Sequence, residues 1–125
     1  MSGKRIIIVD DEADFVSMLA KNLEIFGYEP EECTTPRQVL NRFRKQSYDW
    51  ALVDYRMPEM NGDLLVREIE ALDTSCKIIM LTGFLLESEV RNIMEANPRI
   101  NACLQKPFDV QELVNVIERN SRGQG

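Results

Sequence analysis

The sequence predicts an α/β fold in which helices cover both faces of a parallel β-sheet. Strand-like and helix-like segments alternate five times in 125 residues, without an internal repeat or a linker. Two strand-like runs, residues 6–9 and 78–81, are apolar at every position, as expected for parallel strands buried on both faces. Polar residues follow most strands directly, where open α/β sheets bind ligands. These observations favour one domain with one core.

The first strand and helix occupy the N-terminal quarter of the chain. Residues 6–9 form a central strand because they are β-branched and apolar. The helix that follows has apolar residues at helical spacing, namely Phe15, Leu19, Leu23 and Phe26. It stops at Gly27, since glycine commonly ends helices. Residues 29–33 are predicted to form a short, weak strand at a sheet edge.

The second helix and the third strand come next. Thr35 is a good helix cap, a proline follows at the first turn, and Gln38 completes a capping box. This helix ends near Gln46 and carries three apolar residues, Val39, Leu40 and Phe43. Residues 50–53 form a buried strand, and Asp54 stands where that apolar run ends.

The middle of the chain contributes the third and fourth helices with a strand between them. One helix starts at Gly62, ends at the polar residues 73–75, and carries Leu65, Ile69 and Leu72. Residues 77–81 form the fourth strand, which ends at Thr82. The fourth helix is predicted over about residues 87–96, where an Asn-Pro pair stops it, with an apolar face of Val90, Ile93 and Met94.

The C-terminal part contributes the last strand and helix. Residues 102–105 form a short strand with Lys106 at its tip. Asp109 and Glu112 form a capping box at the start of a helix that carries Leu113, Val116 and Ile117. Residues 120–125 are polar and are predicted to form a frayed end.

Composition excludes several functional classes. The net charge of -6 argues against a general binder of nucleic acids or anionic membranes, since both need a basic face. Apolar runs are too short to span a membrane, and the N-terminus does not have the pattern of a signal peptide. The chain contains no histidine, which removes the usual general base and every catalytic pair that depends on histidine.

The three cysteines are scattered along the chain, at Cys33, Cys76 and Cys103. They form no CxxC pair and have no histidine to complete a thiolate–imidazole zinc site. An odd, scattered set is typical of a reducing cytoplasm, where thiols serve as small apolar core residues.

Five polar side chains follow four of the predicted strands. Asp10 and Asp11 follow the first strand, Asp54 the third, Thr82 the fourth and Lys106 the fifth. Taken singly, the acidic pair has a structural explanation as a helix cap, and Asp54 has one as the start of an Asx-turn. Because the carboxyl ends of parallel strands meet at one sheet edge, the full set instead predicts a site.

This set of groups suits phosphoryl transfer. Clustered carboxylates repel one another unless a cation neutralises them, and oxygen ligands suit Mg²⁺. Asp54 could then attack phosphorus as a carboxylate nucleophile and form an acyl phosphate. Lys106 would bind the phosphoryl oxygens as a point charge, and Thr82 would donate a hydrogen bond to them. Gly83, without a Cβ, would let its backbone N–H approach the phosphate.

Four motifs resemble those of a known family. They are IIIVDDE, LVDYRMPEMNG, MLTGF and LQKPFD, and they occur in this order at plausible spacings. With them the chain resembles a receiver domain of the bacterial two-component response regulators, from Arg5 to about Asn120. The resemblance implies a flavodoxin-like, three-layer α/β/α fold with five helices and strand order 2-1-3-4-5. It makes residues 1–125 a single receiver domain with its core at about residues 5–120.

The resemblance also implies the roles of the site residues. Asp54 is then the phosphorylated residue, and Asp11 and Asp54 ligate Mg²⁺ directly. The backbone carbonyl of Arg56 joins them, while Asp10 acts through a water molecule. The residues implied to contact the phosphoryl group are Lys106, Thr82, Gly83 and Arg56. The residues next to the site vary within the family and are implied to set phosphate lifetime or partner choice; here they are Tyr55, Arg56, Phe84 and Leu85.

One position departs from the family pattern. Receivers usually carry an aromatic residue three positions before the lysine, and its ring moves inward when the threonine engages phosphate. This chain has Cys103 there, and a thiol cannot make the same movement. The hypothesis is that phosphorylation at Asp54 persists while the switch through Thr82 and Cys103 is weaker or takes another route.

The family implies a sensor histidine kinase or a phosphotransfer protein as partner, and a homodimer through the fourth helix, fifth strand and fifth helix. The receiver acts as both substrate and catalyst, and it is not a multiple-turnover enzyme.

Two other functions stay open: an interaction module that works without phosphorylation, and a Mg²⁺-dependent phosphohydrolase. The phosphohydrolase would need a second carboxylate near Asp54 and a substrate pocket, for which a chain of 125 residues leaves little room.

Overall fold

The computed structural model describes residues 4–83 and 85–122, with side chains up to residue 120. Its five strands are β1 Arg5–Val9, β2 Glu29–Cys33, β3 Trp50–Asp54, β4 Lys77–Thr82 and β5 Ile100–Gln105. Its five helices are α1 Ala13–Ile25, α2 Pro36–Phe43, α3 Gly62–Leu72, α4 Glu87–Ala96 and α5 Val110–Arg122. All strand pairs are parallel, and the sheet order is β2-β1-β3-β4-β5. The order implied by the resemblance is therefore confirmed.

Two apolar clusters, one on each face of the sheet, form the core. In β1, Ile6 and Ile8 pack with α1 and α5, whereas Ile7 and Val9 pack with α2 and α3. This alternation follows from the two-residue period of a strand. Both faces need apolar residues, which explains why the central strands are uninterrupted apolar runs.

The predicted edge strand is indeed at the edge, where it pairs only with β1 among the described strands. Its sequence is polar and contains a proline, which discourages pairing with another chain. Glu31 fixes it to the chain before β3, since its carboxylate accepts hydrogen bonds from Tyr48 Oη at 2.6 Å, Gln46 Nε2 at 2.8 Å and Arg42 Nη1. Burial raises the pKa of Glu31, but these hydrogen bonds outweigh burial and leave the pKa below its usual value.

Several predicted boundaries differ from the structure. β5 begins at Ile100 and not at residue 102, because the register between β4 and β5 shifts at Ile78. The polar Asn101 makes the start of β5 hard to recognise in the sequence. In the structure its side chain accepts a hydrogen bond from Ile78 N at 2.8 Å and completes the pairing of β4 with β5 at the shift. α2 ends at Phe43, before the predicted Gln46. Phe26, predicted to belong to the core face of the first helix, lies after its end and is 42% exposed.

The last helix is longer than predicted. α5 continues to Arg122, so the predicted frayed end at residues 120–125 is wrong for residues 120–122, and residues 123–125 lie outside the described residues. The Asn120 side chain donates to Val116 O at 2.8 Å, which ties the last turn to the helix. None of the described helices is both long and apolar enough to cross a lipid bilayer.

α4 packs more loosely than the other helices. Within the described part of the chain it has no fully buried side chain, and Ile93 and Met94 are only partly buried against the core. Its C-terminus is fixed by Asn97, whose side chain donates to Ile93 O at 2.9 Å and accepts from Arg67 Nε at 3.2 Å. The end of α4 is therefore tied to α3, while its apolar face is only partly covered.

Candidate functional site

Three carboxylates meet at the C-terminal edge of the sheet. Asp10 and Asp11 follow β1, and Asp54 is the last residue of the neighbouring strand β3. One carboxylate oxygen from each lies within 4.8 Å of the others. Asp10 and Asp54 are buried, whereas Asp11 is exposed at the mouth of the cluster. The structure therefore brings together the acidic residues that the sequence placed at one site.

The acidic pair does not serve as a helix cap. The N-cap residue of α1 is Glu12, which makes no side-chain capping bond with the described residues. Asp10 Oδ1 instead accepts a hydrogen bond from Glu12 N at 2.9 Å, which turns the chain sharply after β1. This turn holds the Asp10 carboxylate beneath the site and directs the chain into α1.

Lys106 joins the cluster from the far end of the sequence. Its backbone N–H donates to Thr82 O at 2.7 Å, which extends the pairing of β4 and β5 by one bond. Its Nζ lies 2.5 Å from Asp10 Oδ2 and 3.1 Å from Asp54 Oδ1. With these two contacts, the ammonium bridges the two buried carboxylates. The peptide bond between Lys106 and Pro107 is cis.

The ammonium also faces an aromatic ring whose helical spacing in the sequence predicts only a core position. Nζ of Lys106 lies 4.5 Å from the ring centroid of Phe15, on α1. Phe15 makes an edge-on contact with Phe108, two residues beyond Lys106, at a centroid distance of 6.2 Å. The sequence carried no signal for this contact, since an aromatic residue at helical spacing is usually a core residue.

The charges of the cluster perturb one another. Burial raises the pKa of Asp54 to about 6, the negative charge of Asp10 acts in the same direction, and Lys106 acts against both. Burial lowers the pKa of Lys106, but its hydrogen bonds to Asp10 and Asp54 outweigh burial, so this pKa is raised. A perturbed carboxyl in a polar cluster is typical of a functional site.

The loop after Asp54 is held tightly against the sheet. Tyr55 N donates to Leu81 O at 2.9 Å, and Gly62 N donates to Tyr55 O at 2.7 Å, so the loop closes on itself. A Cβ on Gly62 would lie 2.5 Å from the backbone oxygen of Asp54, which leaves room only for glycine. Arg56 lies in this loop with an exposed side chain.

Thr82 and Gly83 lie beside the acidic cluster. Thr82 is buried and follows Leu81, the residue that pairs with Asp54. Gly83 is exposed, and a Cβ there would meet none of the described residues within 4 Å, its chain neighbours aside. Phe84, predicted to influence phosphate lifetime, lies outside the described residues.

Cys103 borders a cavity between the end of β4 and α4. The cavity has a volume of about 340 Å³ and is lined by Thr82, Leu85, Glu87, Val90, Arg91, Cys103 and Gln105. Cys103 Sγ lies 3.3 Å from Met94 Sδ. Burial raises the pKa of the Cys103 thiol to about 11, so the side chain stays a neutral thiol at physiological pH. Cys103 therefore packs against α4 and leaves space next to Thr82.

Comparison with known proteins agrees with this geometry. Residues 6–118 match the family model of the response regulator receiver domain. The chain belongs to this family. It is 34% identical over 116 residues to the response regulator receiver protein CpdR of Brucella abortus. The matched region covers 93% of this chain and 95% of CpdR. It is 31% identical over 121 residues to the chemotaxis protein CheY of Thermotoga maritima. Here the matched region covers 96% of this chain and 99% of CheY.

The receiver fold is also shared with solved structures. A CheY-like response regulator receiver domain from Methanospirillum hungatei superimposes with a TM-score of 0.88 at 29% sequence identity, over 98% of this chain and 97% of the other. The flavodoxin-like fold predicted for this receiver domain is thereby confirmed. Its three clustered carboxylates supply hard oxygen donors in a group small enough to hold a divalent cation.

Proposed function

We propose that this receiver domain accepts a phosphoryl group on Asp54 in a Mg²⁺-dependent reaction. The observation that carries the proposal is the position of the Lys106 ammonium, which bonds to Asp54 and Asp10 across the sheet edge. Asp54 ends a buried strand, so its carboxylate is held in place, and it lies at the C-terminal end of the sheet beside the exposed Asp11. These are the properties that a carboxylate nucleophile needs.

The contacts support a division of roles among the three carboxylates. Asp10 accepts from Glu12 N through one oxygen and binds Lys106 through the other, so it suits a role through water. Asp11 is exposed and Asp54 bonds to Lys106 through Oδ1, which leaves both able to ligate Mg²⁺ directly. The backbone carbonyl of Arg56 is proposed as a further ligand. A bound Mg²⁺ would offset the negative charge and draw in the phosphoryl oxygens.

The transfer step follows from the site. An oxygen of the Asp54 carboxylate attacks phosphorus, and the bond between phosphorus and the donor's imidazole nitrogen breaks. The electron pair of that bond stays on the nitrogen, which takes up a proton. The Lys106 ammonium then bonds to a phosphoryl oxygen, while Thr82 and the Gly83 N–H donate to others. The exposed side chain of Arg56 is proposed to contact the same group.

The proposal includes the physiological setting. The phosphoryl donor is a sensor histidine kinase or a phosphotransfer protein, and the domain is a phosphoacceptor that assists its own reaction, not a multiple-turnover enzyme. Three free cysteine thiols support a cytoplasmic location. The net charge of -6 argues against direct nucleic-acid binding. The exposed Leu86 and half-buried Val90 support a homodimer contact through α4, β5 and α5.

Acetyl phosphate tests the chemistry without a kinase. Wild-type protein with acetyl phosphate and Mg²⁺ is expected to gain the mass of one phosphoryl group, as measured by intact-protein mass spectrometry. The gain should disappear with excess EDTA and in Asp54→Asn, and it should be lost on mild alkaline treatment because acyl phosphates hydrolyse readily.

Other outcomes would point to other functions. If the wild-type protein gains no mass and so behaves like Asp54→Asn, the result would favour an interaction module that works without phosphorylation. Release of many equivalents of phosphate per chain would favour a phosphohydrolase. Either result would overturn the proposal.

A further inference from the structure

The ring of Phe15 faces the ammonium of Lys106 in the candidate site. Nζ of Lys106 lies 4.5 Å from the ring centroid, well inside the range of a cation–π interaction. Two carboxylates, Asp10 and Asp54, bind the same ammonium. The side chain of Lys106 is only 21% exposed, so water screens these interactions weakly. The ammonium is thus held by two anions and the electron-rich face of a ring.

The ring is itself fixed from two directions. Phe15 lies in the first turn of α1, directly after the turn that Asp10 forms. Its ring also makes an edge-on contact with Phe108, at an interplanar angle of 88°. Because Phe108 and Lys106 flank a single proline, the ring contacts both ends of the same tripeptide. Movement of the ammonium away from the carboxylates would therefore also take it away from a ring that Phe108 helps to hold in place.

Phe15 is not needed to anchor α1. The helix already buries four apolar side chains against the sheet: Val16, Leu19, Ala20 and Leu23. Phe15 is only partly buried. Its position is better explained by what it contacts than by the area it buries.

We propose that Phe15 is a positioning residue, which holds the Lys106 ammonium where the phosphoryl oxygens arrive at Asp54. This inference rests on the proposed function, because it assigns a role within that reaction. The interaction acts on the charge of Lys106 and not on its volume. Reducing the negative potential of the ring face, without changing its shape, should therefore slow phosphorylation.

Site-specific fluorination separates charge from packing. In the full chain, 3,4,5-trifluorophenylalanine at position 15 removes most of the negative potential of the ring face and keeps its shape. The initial rate of phosphorylation by acetyl phosphate at saturating Mg²⁺ is expected to fall on the order of fivefold, while the circular dichroism spectrum stays that of the wild type. Phe15→Tyr, which retains the ring face, should keep the wild-type rate, while Phe15→Leu should lose activity about as much as the fluorinated chain.

Phe43 supplies a matched control, since it is a buried ring in edge contact with Tyr48 at 5.1 Å and lies in the other core cluster. The same fluorination there should leave the rate unchanged. An unchanged rate after fluorination at position 15, with a wild type that is phosphorylated, would overturn the role of Phe15 and leave the proposed function intact. A wild type that is not phosphorylated would overturn both. Equal rate losses at positions 15 and 43 would also overturn the inference, because a loss at both sites would reflect general packing.

Discussion

At the scale of single residues, Gly62 holds the loop after Asp54 against the sheet. Gly62 is the first residue of α3 and lies very close to the end of β3. A Cβ on Gly62 would lie 2.5 Å from the Asp54 backbone oxygen and 2.9 Å from Met80 Sδ. The backbone oxygen cannot rotate away as a flexible side chain could. Glycine is therefore required here by close packing and not by an unusual backbone angle.

Gly62→Ala is expected to lower the free energy of unfolding by about 2 kcal/mol, because overpacking outweighs the better helix propensity of alanine. Urea denaturation monitored by circular dichroism measures the change. Gly83→Ala is the matched control, since a Cβ there meets none of the described residues within 4 Å beyond its chain neighbours and should alter stability by less than about 0.5 kcal/mol. Equal stability of Gly62→Ala and wild type would mean that the loop can move aside at no cost.

Most members of the site could be predicted from the sequence because each directly follows a strand. Asp10 and Asp54 are marked by the end of an apolar run and Lys106 by the end of the last predicted strand, and parallel strands bring such ends together. Phe15 could not be recognised in this way. An aromatic residue at helical spacing is usually a core residue, and only its position relative to the Lys106 ammonium distinguishes it.

At the scale of elements, the pair formed by β5 and α4 is the least securely predicted part of the fold. The sequence indicated both elements, but Asn101 obscured the irregular start of β5. α4 buries no side chain fully within the described residues, because its apolar face meets a cavity near Cys103. How tightly a helix packs depends on the side chains opposite it, and the helix's own periodicity does not report these.

Cys103→Tyr is expected to strengthen the response of these elements to phosphorylation. The cavity of about 340 Å³ beside Thr82 has room for a ring that the small thiol does not fill. Phosphorylation should therefore slow amide hydrogen exchange in α4 and β5 more in Cys103→Tyr than in wild type, as measured by mass spectrometry. Cys103→Ser is the matched small replacement and should behave like wild type. An equally large response in wild type and Cys103→Tyr would contradict a weakened relay.

At the scale of the whole molecule, the site reduces the stability of the fold that carries it. Two buried carboxylates share one ammonium, and burial with the charge of Asp10 raises the pKa of Asp54 to about 6. Above that pH, the folded state must keep an ionised carboxylate that the unfolded chain would hydrate freely. The protein therefore gives up part of its stability to hold a reactive group.

Asp54→Asn is expected to raise the free energy of unfolding by about 1–2 kcal/mol at pH 8 in EDTA, because it removes this charge and keeps the shape. Added Mg²⁺ should stabilise wild type and narrow the difference, since a ligand that binds only the folded state shifts the unfolding equilibrium. Thermal denaturation with and without Mg²⁺ measures both effects. Asp14→Asn, an exposed change on α1, should respond to Mg²⁺ as wild type does. If Asp54→Asn is less stable than wild type in EDTA, the attraction between Asp54 and Lys106 outweighs the burial of the Asp54 charge and its repulsion by Asp10.

The ion pair between Asp10 and Lys106 joins residues 96 positions apart in the sequence. During synthesis, the ribosome delivers all three acidic residues long before it delivers the lysine. A chain whose synthesis has not yet reached β5 therefore has the carboxylates but not the ammonium that pairs with two of them. The candidate site is therefore complete only once the last strand and the lysine that follows it have been made.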